Sequence, residues 1–432
     1  MPPRPVAHSV PEIEGQLGKL WARAAVAREE AAKAQAALIA AQAEAAARAA
    51  AALVATRETT DGSVSHVAAR TSVLNLVVVA GNEETAKKCA DTISATATRH
   101  ASRSLILSAV DPGGPAGLEA RIEALSMATA GGRAETGAET IYVTAHGETG
   151  LHLASIIVPL LVHDLPVALW WPADPPFGSH RADRLLPIAD RLIVDGSGWS
   201  GDGLGILAQL SAAVAERNVV VADWALLRQA RWREAIASVY DLPDMRPHLG
   251  AVRRIAVEYA PDGTGEAVWD TNVVRPLYHV AWLASRLGMT VVEPIRRDVA
   301  GRRVATLRQK EHEVAVVLRP AASDLGAGST IRVEITSRLR GRELVGNITA
   351  DDHTVEVSIR EDGRERVRRG YAAPRLTDVD LLALAVEEGA ADPIAVHALT
   401  TAHRLLGVQS DSHKGTDRGG SHRTSARSQD HD

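Results

Sequence analysis

A single cysteine, Cys89, stands in a chain of 432 residues, beside one phenylalanine and four methionines. One thiol excludes an intrachain disulfide and any cysteine-based zinc cage. It falls in a predicted helix, where a buried and inert thiol is expected. Aromatic residues make up only 3% of the chain, so its cores must be built from Ala, Val, Leu and Ile around eight tryptophans. A large excess of either charge is lacking too: the net charge is −5 and the isoelectric point about 6.4. No domain-wide basic footprint therefore points to nucleic acid or an anionic membrane. The opening MPPRPVAHSVPEIEG has no apolar signal core, so secretion is not expected. The longest apolar-looking stretch, Trp21 to Val54, is mostly Ala interrupted by Arg, Glu, Lys and Gln, and does not suit a bilayer. A cytoplasmic protein is the expectation.

Catalytic signatures are missing as well. There is no G-x-x-x-x-G-K-[ST], no H-E-x-x-H and no G-x-S-x-G, and the 16 histidines are scattered without ligand spacing. No metal, cofactor or catalytic constellation is expected.

What is present suffices for more than one core: 46% of the residues are hydrophobic, and a chain of this length implies two α/β-sized domains plus extras. Residues 1–58 read as a Pro-rich start and a long Ala-rich helix from about Gly15 to Arg57. That helix would be about 60 Å long. Its few large apolar residues require it to dock on its own domain, pair with another copy or meet a partner. Residues 70–240 alternate short apolar runs with helical segments, the pattern of a doubly wound, mainly parallel sheet with a Rossmann-like order. Strands are predicted at Leu74–Ala80, Ser104–Ala109, Thr140–Ala145, Val167–Trp171, Arg191–Asp195 and Val219–Ala222, with a helix at Leu226–Tyr240 among those between and after them. Residues 245–408 read as a smaller α+β domain, an antiparallel meander punctuated by Arg340-Gly341 and Asp362-Gly363 and closed by two helices. Residues 409–432 are polar and expected to be disordered.

Gly196-Ser197-Gly198-Trp199-Ser200-Gly201 is a literal G-x-G-x-x-G between a strand and a helix. Gly196, Gly198 and Gly201 can let a backbone approach a pyrophosphate, or can simply form a tight connection. The late position in the sheet and the bulk of Trp199 favour the connection. His146, at a strand end, suits either a ligand contact or a structural hydrogen bond. Arg99, His100 and Arg103 fall within five residues, a cluster that suits a phosphate or acidic partner surface, or salt bridges at a helix end. Trp170 and Trp171 end a strand and should point to opposite faces, one into the core and one towards the carboxyl edge of the sheet. Asp223-Trp224 and Trp232-Arg233-Glu234 bracket a helix on which Trp224, Arg228 and Trp232 would share a face, suited to recognition or to a domain seam.

These segments, in this order, resemble the OpcA family. Arg99-His100-Ala101-Ser102-Arg103 is similar to the family's Arg-His-Pro-Ser-Arg, with Ala101 where proline is usual. The run from Val158 to Pro172, VPLLVHDLPVALWWP, resembles its most distinctive stretch, and Ala189–Asp195 follows at the expected place. Asp223-Trp224 and Trp232-Arg233-Glu234 resemble a later block, and Ala281–Gly288 another, so that the order holds over roughly residues 70–320. The resemblance implies a non-catalytic assembly factor and allosteric activator of glucose-6-phosphate dehydrogenase in the oxidative pentose phosphate pathway. That enzyme is the implied partner, with self-association through the N-terminal helix a further expectation. Candidate partner contacts are Arg99, His100, Arg103, Trp170, Trp171, Asp223, Trp224, Trp232, Arg233 and Glu234. The competing reading is an enzyme or sensor that binds a dinucleotide or sugar phosphate at Gly196–Gly201.

Overall fold

Short runs rich in Val, Ile and Leu between residues 74 and 223 supply the strands of the first of two sheets. The structure, a computed structural model, describes residues 6–20, 22–23, 26, 30, 33, 37, 73–97, 99–110, 113–128, 135–217, 219–351, 353–387 and 392–407. Most of the expected Ala-rich helix and the whole tail from Gln409 lie outside the described residues. Residues 10–20 are helical (α1), and this turn of chain docks on its own domain: Ile13 and Leu17 are buried in the main core. Just before it, Ala7 pairs with Ala120.

The first sheet contains β1 (Leu74–Ala80), β2 (Ser102–Val110), β3 (Gly117–Ala128), β4 (Glu135–His146), β5 (Val167–Trp171), β6 (Arg191–Val194) and β7 (Val220–Asp223). The order is β3-β4-β2-β1-β5-β6-β7, parallel throughout except for β3. Helices cover both faces, which is why the central strands read as continuous apolar runs. One face, carrying Leu76, Val78 and Trp170, is covered by α2 (Glu83–Thr96). The other lies under α3 (Leu153–Leu160), α4 (His180–Leu185) and α5 (Leu204–Arg217). Asn82 starts α2 by accepting the Thr85 N–H at 2.8 Å. Cys89 is buried on this helix, and burial pushes its thiol up to about 12.

After β7 come α6 (Trp224–Leu227), α7 (Ala230–Ser238), β8 (Val252–Tyr259), α8 (Val274–Arg286) and β9 (Thr290–Arg297). The chain continues through β10 (Arg303–Gln309), β11 (His312–Pro320), β12 (Thr330–Leu339), β13 (Arg342–Ala350), β14 (Thr354–Glu361) and β15 (Arg364–Ala372). The second sheet runs β15-β14-β13-β12-β8-β11-β10-β9. It is antiparallel except at β8 and β11, a parallel pair within the expected meander. Arg340-Gly341 and Asp362-Gly363 have positive φ at both residues, the geometry of two-residue hairpin turns.

Two helices follow, α9 (Asp378–Glu387) and α10 (Pro393–Leu405). Both return to the first sheet's side: α9 packs on α2, and α10 on α5 and α8. Among the described residues no helix is long and apolar enough to cross a membrane.

Candidate functional site

The segments singled out in the sequence converge where β6 and β7 end and α8 begins. Gly196–Gly198 is a single 3-10 turn whose preceding Asp195 accepts the Ser197 N–H at 3.1 Å. Most of the loop's backbone N–H groups are bonded within the chain. Gly196 donates its N–H to Asp223 Oδ1 at 2.9 Å, and Ser200 donates its N–H to Asp174 Oδ1 at 3.0 Å. The Gly198 N–H goes to the Asp195 carbonyl and the Gly203 N–H to that of Ser200. Asn272, just before α8, donates Nδ2 to the carbonyls of Gly196 and Trp199 at 2.9 and 3.0 Å. A Cβ on Gly196 would lie 2.8 Å from both Asp223 Oδ2 and Val274 Cγ1. The close approach that this glycine permits is therefore to Asp223 at the end of β7 and to Val274 at the start of α8. The dinucleotide reading of the loop loses its basis here, because the N–H groups of Gly196, Ser197, Gly198 and Ser200, which would cradle a pyrophosphate, are bonded to carboxylates and a carbonyl of the protein.

Asp223 is the hub of this joint. It is fully enclosed and accepts the Ala225 N–H at 2.8 Å and the Tyr278 hydroxyl at 2.7 Å in addition to Gly196. Burial raises its carboxyl from the usual 3.8 to about 6, against the pull of those donors. The Tyr278 phenol is pushed well above its ordinary value, first by burial and then by the neighbouring carboxylate. Gln229 adds another tie, donating Nε2 to the Arg275 carbonyl at 2.6 Å. One turn along α8 from Arg275, His279 is buried against Trp232 with ring centroids 5.1 Å apart. Neither ring nitrogen of His279 has a hydrogen-bond partner among the described residues, and burial, aided by Arg275 and Arg233, lowers its pKa to about 3. It is a neutral core ring.

The tryptophans are interior. Trp170 and Trp171 point to opposite faces as expected, yet both are buried, at 3% and 2% exposure, because helices cover both faces of the sheet. Trp170 packs on Trp224 at 5.1 Å, and Trp171 meets Phe177 edge-on at 5.7 Å. The expected edge-exposed tryptophan of this pair is thus a core residue. The expected stripe of Trp224, Arg228 and Trp232 is also broken: α6 ends at Leu227 and a new helix starts at Ala230, so Trp224 and Trp232 enter different clusters. Arg228 stays at the joint, donating to Asp195 Oδ1 at 2.8 Å and Ser197 Oγ at 3.1 Å.

The five-residue Arg/His cluster divides in the same way. Arg103 lies within β2 and is buried, bonded through Nε to Glu139 and through Nη1 to the Leu160 carbonyl at 2.9 Å. His100 is half-buried and contacts Glu387 of α9 at 3.1 Å, while Arg99 is exposed. Arg233 is half-buried, with Nη1 bonded to the Leu226 carbonyl, and Glu234 is exposed and paired with Arg231 at 2.7 Å. Of the ten candidate contacts, six side chains (Arg103, Trp170, Trp171, Asp223, Trp224 and Trp232) are interior, leaving Arg99, His100, Arg233 and Glu234 at the surface. His146 ends β4 with Nε2 buried and without a hydrogen-bond partner among the described residues.

Asn75 was not singled out in the sequence, although it stands out as the polar residue of the run LNLVVVA. Fully enclosed on β1, it donates Nδ2 to the carbonyls of Val162 and Leu165 and accepts the Val162 N–H at 2.8 Å. It holds the bend that leads into Val167–Trp171. Among the described residues no group of three or more His, Cys, Asp or Glu is placed to hold a metal.

Comparison with known proteins places these elements in a family. Residues 90–211 match the domain described as glucose-6-phosphate dehydrogenase subunit N-terminal domain, and residues 219–399 match its C-terminal domain, the two OpcA domains. A protein named putative OxPP cycle protein OpcA from Synechocystis sp. is 30% identical over 153 residues, 35% of this chain. Its namesake from Nostoc punctiforme is 31% identical over 148 residues, 34% of this chain. The chain's match spans 30% of the length of each of these relatives. Among solved structures, the WlbA dehydrogenase of Thermus thermophilus, in complex with NAD and UDP-GlcNAcA, is 13% identical with a TM-score of 0.38. That likeness covers 78% of this chain and 95% of the dehydrogenase. The transcriptional regulator Gal80p from Kluyveromyces lactis is 10% identical with a TM-score of 0.40, covering 79% of this chain and 92% of that one.

Proposed function

This chain belongs to the OpcA family, and from that premise we propose that it is a non-catalytic cytoplasmic partner that promotes assembly of glucose-6-phosphate dehydrogenase and activates it. The observation that carries the reading is the pair of domain matches, in chain order, over residues 90–211 and 219–399. The loop at Gly196–Gly201 is consistent with that reading, since its peptide groups are bonded to Asp223 and Asn272 of the chain itself. Activation requires this protein to bind the active form of the dehydrogenase better than the inactive form. A coupling of about 1–3 kcal/mol is typical of such effects. The contact surface in this reading includes Arg99 and His100 beside α9, and Arg233 and Glu234 on α7.

The test is dehydrogenase activity with glucose 6-phosphate titrated, with and without this protein, using the enzyme of the same organism. A lower half-saturating substrate level or a higher maximal rate, with no turnover by this protein alone and co-elution of the two, is the expected result. Unchanged kinetics and separate elution sink the reading.

A further inference from the structure

Arg275 occupies the first turn of α8, a place that suits an anion better than a cation. Its Nη1 donates to Ser329 Oγ at 3.2 Å. Its Nε is enclosed and has no hydrogen-bond partner among the described residues. The carboxylates nearby bond other donors. Asp195 accepts from Ser197 and Arg228, and Asp223 from Gly196, Ala225 and Tyr278. Burial lowers the Arg275 guanidinium to about 10, and the like charges of Arg228 and Arg375 add to the effect against the pull of Asp195.

Arg228 reaches the same place from the turn after α6. Gln229, next to it, donates Nε2 to the Arg275 carbonyl at 2.6 Å. Arg228 lies 2.8 Å from Asp195 and 3.9 Å from Asp378 of α9. Three guanidiniums, those of Arg228, Arg275 and Arg375, thus share two carboxylates, and Arg233 is near enough to act together with Arg275 on His279. An enclosed cation without a counter-charge is costly, so this cluster has room in its charge balance for an anion. The cluster also reaches solvent. The Arg228 side chain is 21% exposed, and nothing lies within 4 Å of a Cβ placed on Gly198, beside Ser197.

We propose that Arg228 and Arg275, in front of the first turn of α8, hold the phosphate group of a small phosphomonoester. Guanidinium forks and a helix N-terminus together suit a tetrahedral dianion, for which they offer donors from several directions. The place is the carboxyl edge of the first sheet, where ligands of open α/β sheets collect. It is built from side chains and needs none of the peptide N–H groups of Gly196–Gly201. NAD has no phosphomonoester, since its phosphates form a bridged diester, and is not the ligand. The site concerns the isolated chain, so its failure leaves the dehydrogenase reading untouched.

Melting of the full chain in phosphate-free buffer tests it, with inorganic phosphate or glucose 6-phosphate added against sodium chloride of equal ionic strength. The expected result is a rise of about 2–4 °C for either at tenfold excess over its dissociation constant. Arg275→Met, folded by circular dichroism, should lose the rise. If that variant does not fold, Arg275→Lys takes its place, keeping the charge without the fork, and should need at least about tenfold more phosphate. No rise above the chloride control overturns the proposal, and so does a full rise in the folded variant. An equal rise with acetate overturns the phosphate assignment. A rise with inorganic phosphate but not with glucose 6-phosphate means an adventitious ion only, and overturns it too.

Discussion

Tyr278 of α8 donates its hydroxyl to Asp223 at the end of the first sheet's last strand, across 2.7 Å. The same carboxylate holds the N–H groups of Gly196 and Ala225. Asp223→Ala would strand three buried donors at once and is expected to cost about 3–5 kcal/mol. Tyr278→Phe removes one donor and should cost about 1–2 kcal/mol. Urea unfolding of the two variants checks the order, and an Asp223→Ala no weaker than Tyr278→Phe would refute the hub.

The same group gives a pH signature. Burial lifts the Asp223 carboxyl from 3.8 to about 6 in the folded chain. Between those values the folded state keeps a proton that the unfolded state has released. The stability this adds is fully present below the unfolded pKa and is lost as pH rises to about 6. Asp223→Asn cannot titrate, so wild-type stability relative to that variant should fall by up to about 3 kcal/mol from pH 4 to pH 7. Urea midpoints measured across that range test the sign, and a flat difference contradicts it.

Much of the fold was legible because the first sheet's central strands are buried on both faces and the second sheet's turns carry their own chemistry. Leu74–Ala80 and Val167–Trp171 are strands with the predicted bounds. The missed strand β3 contains LEARIEAL, whose residues favour a helix, and pairing along β4 overrides that preference. β10 was also missed, since RVATLRQ shows neither a clean alternation nor a continuous apolar run and puts the polar Arg303 and Gln309 on its buried side. The joint was the least legible part. Asn272, Tyr278 and Gln229 are ordinary residues in sequence, and only the tertiary fold brings them to Gly196 and Asp223. For the same reason the adjacent tryptophans read as half-exposed: strand alternation sends them to opposite faces but does not say that both faces are covered.

The two glycines of the joint's turn should respond differently to alanine. Gly196 has Asp223 and Val274 within 2.8 Å of a Cβ, while Gly198 has nothing within 4 Å. Gly196→Ala is expected to cost about 1–3 kcal/mol by overpacking. Gly198→Ala should stay within about 0.5 kcal/mol. NAD should leave the melting temperature of the wild type unchanged. Equal costs at the two positions, or a cofactor-dependent rise in melting temperature, would restore the dinucleotide reading.

Arg103 and Glu139 form a buried pair between β2 and β4. Removing one partner leaves the other charge enclosed, so Glu139→Gln or Arg103→Met should cost about 3–5 kcal/mol. Replacing both, as Arg103→Met with Glu139→Leu, should recover much of that loss. A double-mutant cycle in guanidinium measures the coupling, and additive single costs would mean that the pair does not act as a unit.

Arg99 and Glu234 project from the described surface, unlike Trp171 and Arg103. Charge reversal at an interface changes association without touching the core, because an exposed side chain contributes little to folding. Arg99→Glu and Glu234→Arg should therefore melt like the wild type yet bind glucose-6-phosphate dehydrogenase about tenfold more weakly wherever they lie in the contact. Trp171→Ala supplies the contrast. Its ring is enclosed against Phe177, so it should lose about 3–5 kcal/mol of stability and impair binding only through unfolding. Surface-immobilised dehydrogenase with each variant in solution separates the two effects. If Trp171→Ala binds weakly while remaining folded, and both charge reversals bind normally, the contact runs through the strand end rather than through the exposed charges.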